Sequence, residues 1–292
     1  MPALPPLFAL PSPFITAPGR VLLHEPADAD AEALRERLLA EDYERPFVID
    51  DGEHRTLYFT LRLIQSTMRT RTPDALALRY TQMMMLFVLF LPRPQRLVLI
   101  GLGGGSLLKC CHRHLPSSHF TAIEMDADVI AFRDLFALPR DGARVSVVHG
   151  DGAAWLAAAA PGIDVLLVDA FTGTGIAPSL AGDAFFERAA ETLAPRGLLV
   201  LNLAGELRPY ADLVGRVRAV FDDRVILLPV PDDGNHLLFA FKDPAHRPDW
   251  RRLQQLALQL QDRFGLDLPA FAAQLERAAR QRLAERLFDP VR

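Results

Sequence analysis

Leu97-Val98-Leu99-Ile100-Gly101-Leu102-Gly103-Gly104-Gly105-Ser106 is the stretch whose reading decides the fold. The four apolar residues predict a short buried strand. Four glycines among the next five residues predict a turn that bulkier side chains could not follow, and Leu107-Leu108-Lys109 opens a helix. A strand, glycine turn and helix in that order bring backbone N–H groups close to a nucleoside or phosphate in doubly wound α/β sheets. The same glycines also occur where a helix merely packs onto a strand, so the surrounding pattern has to decide.

Outward from that stretch, apolar runs repeatedly end in an acid. His119-Phe120-Thr121-Ala122-Ile123 ends in Glu124, about 20 residues past the glycines, where nucleotide-binding folds place an acceptor for ribose hydroxyls. Val145-Ser146-Val147-Val148 leads into His149-Gly150-Asp151-Gly152, and Asp164-Val165-Leu166-Leu167-Val168 ends in Asp169. Each acid is thus expected at the carboxyl edge of the sheet, where ligands bind. A helix N-cap is the plainer role for any one of them. Ser106 stands where a dinucleotide fingerprint has its third glycine, and Asp151 suits an adenine amino group better than a second phosphate. The pattern points to an adenosine sulfonium ligand rather than NAD.

Composition narrows the class. The chain has 292 residues, half of them hydrophobic, 23% charged, with a formal net charge of -4. Mean hydropathy is +0.12 and the pI is near 6.1, so a globular chain is expected with no electrostatic reason to bind nucleic acid. Cys110 and Cys111 are adjacent on a predicted helix and form no disulfide framework, which implies a reducing, cytoplasmic setting. No metal is expected, because His112 and His114 lack ligand spacing. Met1 to Pro6 has no basic region before an apolar one, so no secretory signal is expected. The most apolar run, Met83 to Leu91, has nine residues against the ~20 of a membrane span, and reads as a buried helix.

Three regions follow. Residues 1–72 read as a small β-rich N-terminal domain. Phe14–Thr16 and Arg20–Leu23 are the first predicted strands, Asp30 to Glu41 a helix with Asp30 as N-cap, and Phe47–Asp50 and His54–Phe59 a hairpin around Asp51-Gly52. An isolated hairpin is marginally stable, so this one is expected to pair with its copy in a homodimer. Residues 73–245 read as the nucleoside-binding α/β domain. It opens with a long helix from about Pro73 to Leu91, and Leu198–Leu201 is its fifth strand. Val225–Leu228 and His236–Phe241 close it as an antiparallel pair. That makes a Rossmann-like methyltransferase fold with a seven-stranded, mostly parallel sheet. Residues 246–292 read as a helical extension whose basic face is solvated or meets another subunit.

From about Phe47 to Lys242 the chain resembles the spermidine synthase (polyamine aminopropyltransferase) family. The resemblance is carried by the hairpin followed by Gln65, by Tyr80, by the glycine loop, and by Glu124-Met125-Asp126. Gly150-Asp151-Gly152 and Asp169 with Pro178 and Leu180 complete it. It implies a transferase acting on a small-molecule nucleoside and an amine, with no tightly bound cofactor. The implied co-substrate is decarboxylated S-adenosylmethionine or S-adenosylmethionine. Gln65, Gly101, Gly103, Gly104, Glu124, Asp151 and Gly152 would hold it, Glu124 at the ribose and Asp151 at the adenine. Asp169 and Tyr80 would be catalytic, as a primary amine attacks the aminopropyl carbon and methylthioadenosine leaves. Read from the residues alone, Gln65 could as well satisfy backbone groups, and Tyr80 could belong to the core.

Departures from the family pattern are equally specific. Gly104 stands where members carry an aspartate in the glycine loop, Thr172 stands where they carry a second one after Asp169, and the helix reads Tyr80-Thr81-Gln82. A buried amine cation needs carboxylates nearby and a base to take its proton. Three functions therefore follow: an aminopropyltransferase with relocated acids such as Asp232 and Asp233, an S-adenosylmethionine-dependent methyltransferase, or a non-catalytic nucleoside-binding protein.

Overall fold

The computed structural model describes residues 7–61, 63–172, 175–231 and 234–281. The chain begins with a five-stranded antiparallel sheet in the order β1-β2-β3-β4-β5. These strands are β1 (Phe8–Pro11), β2 (Arg20–Leu23), β3 (Phe47–Asp50), β4 (His54–Thr60) and β5 (Leu63–Arg69). Helix α1 (Ala31–Leu39) lies between β2 and β3, with Asp30 as the expected N-cap, its carboxylate accepting from the Glu32 and Ala33 amides. Leu34 and Leu38 of α1 join Val21, Leu23, Phe47 and Ile49 in a core of their own.

Two expectations change here. The first strand is Phe8–Pro11, paired residue for residue with β2, and not Phe14–Thr16. Residues 12–19 are a turn in which the Ser12 hydroxyl bonds the Ala17 carbonyl, leaving Ile15 98% exposed. The Asp51-Gly52 hairpin is flanked by β2 on one side and β5 on the other, so it needs no second subunit to be stable. Gln65 belongs to β5.

The expected long helix from Pro73 to Leu91 is instead two short ones, α2 (Arg79–Met84) and α3 (Phe87–Phe90). Between them Leu86, Val88 and Leu89 donate to carbonyls three residues back. Met83 to Leu89 are all buried, apolar on every side, so no one-sided pattern holds a single helical register.

The seven-stranded sheet runs β13-β14-β12-β9-β6-β7-β8. Its parallel part is β6 (Arg96–Ile100), β7 (His119–Glu124), β8 (Val145–His149), β9 (Ile163–Val168) and β12 (Leu193–Leu203). Strand β14 (His236–Phe241) is antiparallel to both β12 and β13 (Val225–Pro229). Strand β12 exceeds the expected Leu198–Leu201 and reaches Asn202 and Leu203, with an irregularity between Leu193 and Leu198. A small hairpin, β10 (Phe171–Thr172) and β11 (Gly175–Ile176), follows β9.

Helices cover both faces of the sheet: α4 (Ser106–His114), α5 (Ala127–Ala131), α6 (Gly152–Ala158), α7 (Asp183–Thr192) and α8 (Ala211–Val220). The last two, α9 (Trp250–Phe264) and α10 (Leu268–Arg280), are not a mainly solvated extension. Leu253, Ala257, Leu268, Phe271 and Leu275 are buried in the core that also holds β13 and β14. Among the described residues no helix is long and apolar enough to cross a membrane.

The N-terminal sheet is fastened to the α/β domain at the residues after β7. Arg45 forks onto both oxygens of Asp128, at 2.8 and 2.9 Å, and Arg55 donates to the Leu135 carbonyl. A bidentate guanidinium–carboxylate pair fixes orientation as well as distance. The two sheets therefore meet at a defined angle, with β5 facing the glycine loop.

Candidate active site

Chain order reverses between β6 and β9: β7 and β8 lie to one side of β6, β9 and β12 to the other. Strand ends diverge at such a point and leave a crevice at their carboxyl edge. A cavity of about 720 Å³ opens there, lined by all the strand-end acids read from the sequence.

The glycine loop forms one wall. Gly101 has φ +90°, and a Cβ there would fall on the carbonyl oxygen of Asp169. Glycine is required because the ends of β6 and β9 pass in contact, tied by the Asp169 amide donating to the Ile100 carbonyl at 2.9 Å. Glu124 then fixes the loop to the end of β7. Its Oε2 accepts from the Leu102 amide at 2.8 Å and its Oε1 from the Asp126 amide at 3.0 Å. Both oxygens keep a further lone pair for a ligand.

Asp151 fills its plainer role and lines the cavity as well. It is the N-cap of α6, with Oδ1 accepting from the Ala154 amide at 2.8 Å, while Oδ2 accepts from the Ser179 hydroxyl at 2.7 Å. The Ala154 amide, together with Ser179, holds its carboxyl below the usual range, so it is an anion at neutral pH. Gly152 follows as the first residue of α6, packed so closely on Ile100 that a Cβ there would strike the Ile100 side chain.

Asp169 follows the last residue of β9, half-buried, and lines the cavity. Burial raises its pKa from an ordinary 3.8 to about 6, while hydrogen bonds from Asn202 and Tyr80 pull the other way. The Asn202 amide donates to its Oδ1 at 2.8 Å. A carboxyl group held near neutrality, with donors fixing it, is suited to proton transfer. Tyr80, on α2, lines the cavity beside it. Gln65 and Ser66 of β5 form the wall facing the glycine loop, with the Ser66 and Ser106 hydroxyls 3.4 Å apart.

One sequence expectation is placed differently, and others fall outside the described residues. Gly103 lines the cavity, but Gly104 is turned behind the loop and does not. A Cβ on Gly104 would come within 2.7 Å of the Ser66 hydroxyl and 2.8 Å of the Phe136 ring. Thr172 lies in β10, its side chain outside the described residues, as are Asp232 and Asp233 altogether.

The spermine/spermidine synthase domain matches residues 77–206. A polyamine aminopropyltransferase of Chromobacterium violaceum is 33% identical over 235 residues, covering 80% of this chain and 90% of that one. The chain belongs to the spermine/spermidine synthase family. A polyamine aminopropyltransferase of Neisseria meningitidis is 32% identical over 231 residues, with 78% and 88% coverage. Among solved structures, a spermidine synthase in complex with the transition-state analogue AdoDATO superposes with a TM-score of 0.62 at 19% identity. It covers 83% of this chain and 84% of the other, a likeness of fold.

In this member of the spermine/spermidine synthase family, the cavity wall that follows β12 contains residues that sequence reasoning passed over. Asn202 ends the apolar run of β12, the same signal that marks Glu124 and Asp169, and it is 2% exposed. Glu206, Tyr210 and Asn235 stand on the loops after β12 and before β14. The Tyr210 hydroxyl donates to the Ala204 carbonyl and the Asn235 side chain accepts from the Gly205 amide, which holds the Glu206 turn in place. Nothing in the local sequence around Glu206 distinguishes it from a solvated loop acid.

Proposed function

We infer that this protein binds an adenosine sulfonium in the cavity and transfers its aminopropyl arm to an amine. The co-substrate would be decarboxylated S-adenosylmethionine. Glu124 takes the ribose hydroxyls and Asp151 the adenine amino group. The amine nitrogen forms a bond to the arm's carbon next to sulfur as the carbon–sulfur bond breaks. Sulfur keeps the electron pair and departs as methylthioadenosine. The amine's surplus proton passes to Asp169, with Tyr80 donating to the same carboxyl. The observation that carries this reading is Asp169, a carboxyl near pKa 6 at the cavity floor beside the glycine loop. At neutral pH it is mostly ionised, so it can take the proton and pass it on to water.

Glu206 supports the amine half of the reading. It puts a carboxylate on the cavity wall even though Gly104 and Thr172 bring none. One observation favours a second reading, methyl transfer from S-adenosylmethionine. The space a loop aspartate would need is filled by Phe136 and Ser66. The products decide. Incubation with decarboxylated S-adenosylmethionine and putrescine should release methylthioadenosine and spermidine. Release of S-adenosylhomocysteine from S-adenosylmethionine, with no methylthioadenosine from the decarboxylated form, would replace the first reading by the second.

Assembly as a homodimer belongs to the same proposal. Leu7, just before β1, and Ile15, in the turn between β1 and β2, are 41% and 98% exposed, apolar side chains that a second subunit could cover. A monomer in light scattering at tens of micromolar would reject it.

A further inference from the structure

We propose that Asn202 is the positioning residue of the base: its amide holds one oxygen of Asp169 in place and leaves the carboxylate turned toward the cavity. The inference rests on the reading of Asp169 as the proton acceptor. It assigns to β12 a part in the chemistry that no feature of the glycine loop supplies.

The geometry is one-sided. Asn202 is 2% exposed, and its Nδ2 donates to Asp169 Oδ1 at 2.8 Å. Its own Oδ1 is buried and receives no hydrogen bond among the described residues. A buried amide normally satisfies both ends, and one that does not calls for an explanation. Turning the amide over would set its oxygen against a carboxylate oxygen, which is repulsive unless Asp169 carries a proton. The orientation thus fits the ionised carboxylate, and the orphaned oxygen is what that orientation costs. Backbone pairing adds rigidity. Asn202 is opposite Leu237 of β14, and the residue before it, Leu201, is paired with Val168 of β9, so the backbone that carries its side chain is fixed beside Asp169.

The other groups facing Asp169 are few. Tyr80 from α2 donates to the same carboxyl, and the side chains of β6 on its other flank are apolar. Glu206 and Asp151 stand on other walls of the cavity, and Glu124 is engaged by the Leu102 and Asp126 amides. Among the described residues no cation is a cause of the Asp169 shift, and the hydrogen bonds from Asn202 and Tyr80 are what favour its ionised form.

Replacing the amide should therefore move a titration rather than simply lower a rate. In Asn202→Leu, the pH profile of methylthioadenosine release should shift its midpoint upward by about one pH unit or more, since a hydrogen bond to the charged form is lost. Above the new midpoint the rate should recover in part, staying below the parent because the carboxylate is no longer held. Asn202→Thr, which restores a donor on a β-branched residue suited to the strand, should bring the midpoint part of the way back. If Asn202→Leu does not fold, Asn202→Asp serves instead. Two adjacent carboxyls cannot both ionise freely, and the midpoint should rise further. A uniform loss of rate with an unmoved midpoint would overturn the inference and make Asn202 a packing residue. The Asp169 carboxyl can also be titrated directly by carbon-13 NMR in parent and Asn202→Leu protein. That readout stands even if no amine is alkylated, so a failed transfer assay would remove the proposed function without deciding the role of Asn202.

Discussion

Asp169→Asn should make the protein more stable and much less active, and the size of both effects follows from its surroundings. The carboxyl is held at about 6 against an ordinary 3.8, with burial as the main cause. A folded-state pKa above the unfolded one means that the fold favours the protonated group. That contribution is complete below the unfolded value and is lost as pH rises through about 6. Each pH unit between the two values corresponds to about 1.4 kcal/mol, so the ionised carboxylate costs about 3 kcal/mol of stability above neutrality. Asparagine never ionises and avoids that cost. It also turns an NH₂ toward Asn202 or Tyr80, both donors, which gives back about 1 kcal/mol. Denaturant unfolding of both proteins between about pH 4 and about pH 8 should show the variant slightly weaker at the acid end. Near neutrality it should be stronger by about 2 kcal/mol. Methylthioadenosine release should fall by about 10²–10⁴-fold, the usual range for losing a positioned base. A stability difference that does not change with pH, or a variant that keeps its rate, would refute the assignment of Asp169 as a raised, catalytic carboxyl.

Other perturbations test separate walls of the cavity. Gly104→Asp, which from the family pattern alone should improve amine use, is expected instead to destabilise by about 1–3 kcal/mol, because its Cβ would press on Ser66 and Phe136. Adding Phe136→Ala should relieve part of that strain, and a thermal melt of Gly104→Asp equal to the parent would contradict the packing argument. Asp151→Ala should lose about 1–3 kcal/mol of methylthioadenosine affinity by calorimetry. It should also lose about 1 kcal/mol of stability with the α6 cap. Asp151→Asn should keep the cap, so equal stability losses in both variants would count against its capping role. Glu206→Gln should raise KM for the amine several-fold and leave methylthioadenosine affinity alone; an unchanged KM would remove Glu206 from the amine side.

Much of the sheet was legible because each parallel strand is a short apolar run with a polar residue at its end. Leu97–Ile100 and Val165–Val168 are buried throughout, as are Phe120, Ala122 and Ile123, and the runs of β7 and β9 end in the half-buried acids Glu124 and Asp169. The same rule marks Asn202, although Leu203 continues the apolar pattern and hides it. The packing around Gly104 was not legible, since Ser66 and Phe136 come from β5 and from beyond α5. In α9 and α10 the amphipathic spacing announced helices, but the arginines drew notice away from Leu253, Phe271 and Leu275, which face the core. Between Met83 and Leu89 there was no polar side chain to fix a helical phase, and tertiary packing set the break.

Strand β5 is the outermost strand of the N-terminal sheet, and it is also one wall of the cavity. Gly103 sits 3.5 Å, at its would-be Cβ, from the Ser66 side chain. Leu57 and Met68 of β4 and β5 also pack into the same core as Leu99 and Leu107 beside the glycine loop, so a ligand filling the cleft would press on a seam that the protein already closes with apolar side chains. Amides of β4 and β5 should exchange with deuterium more slowly when methylthioadenosine is bound, although most of them never touch it. A chain beginning at residue 73 would keep the glycine loop and all the strand-end acids, yet lose Gln65 and Ser66 from the cavity wall and leave the core residues that Leu57 and Met68 cover facing water.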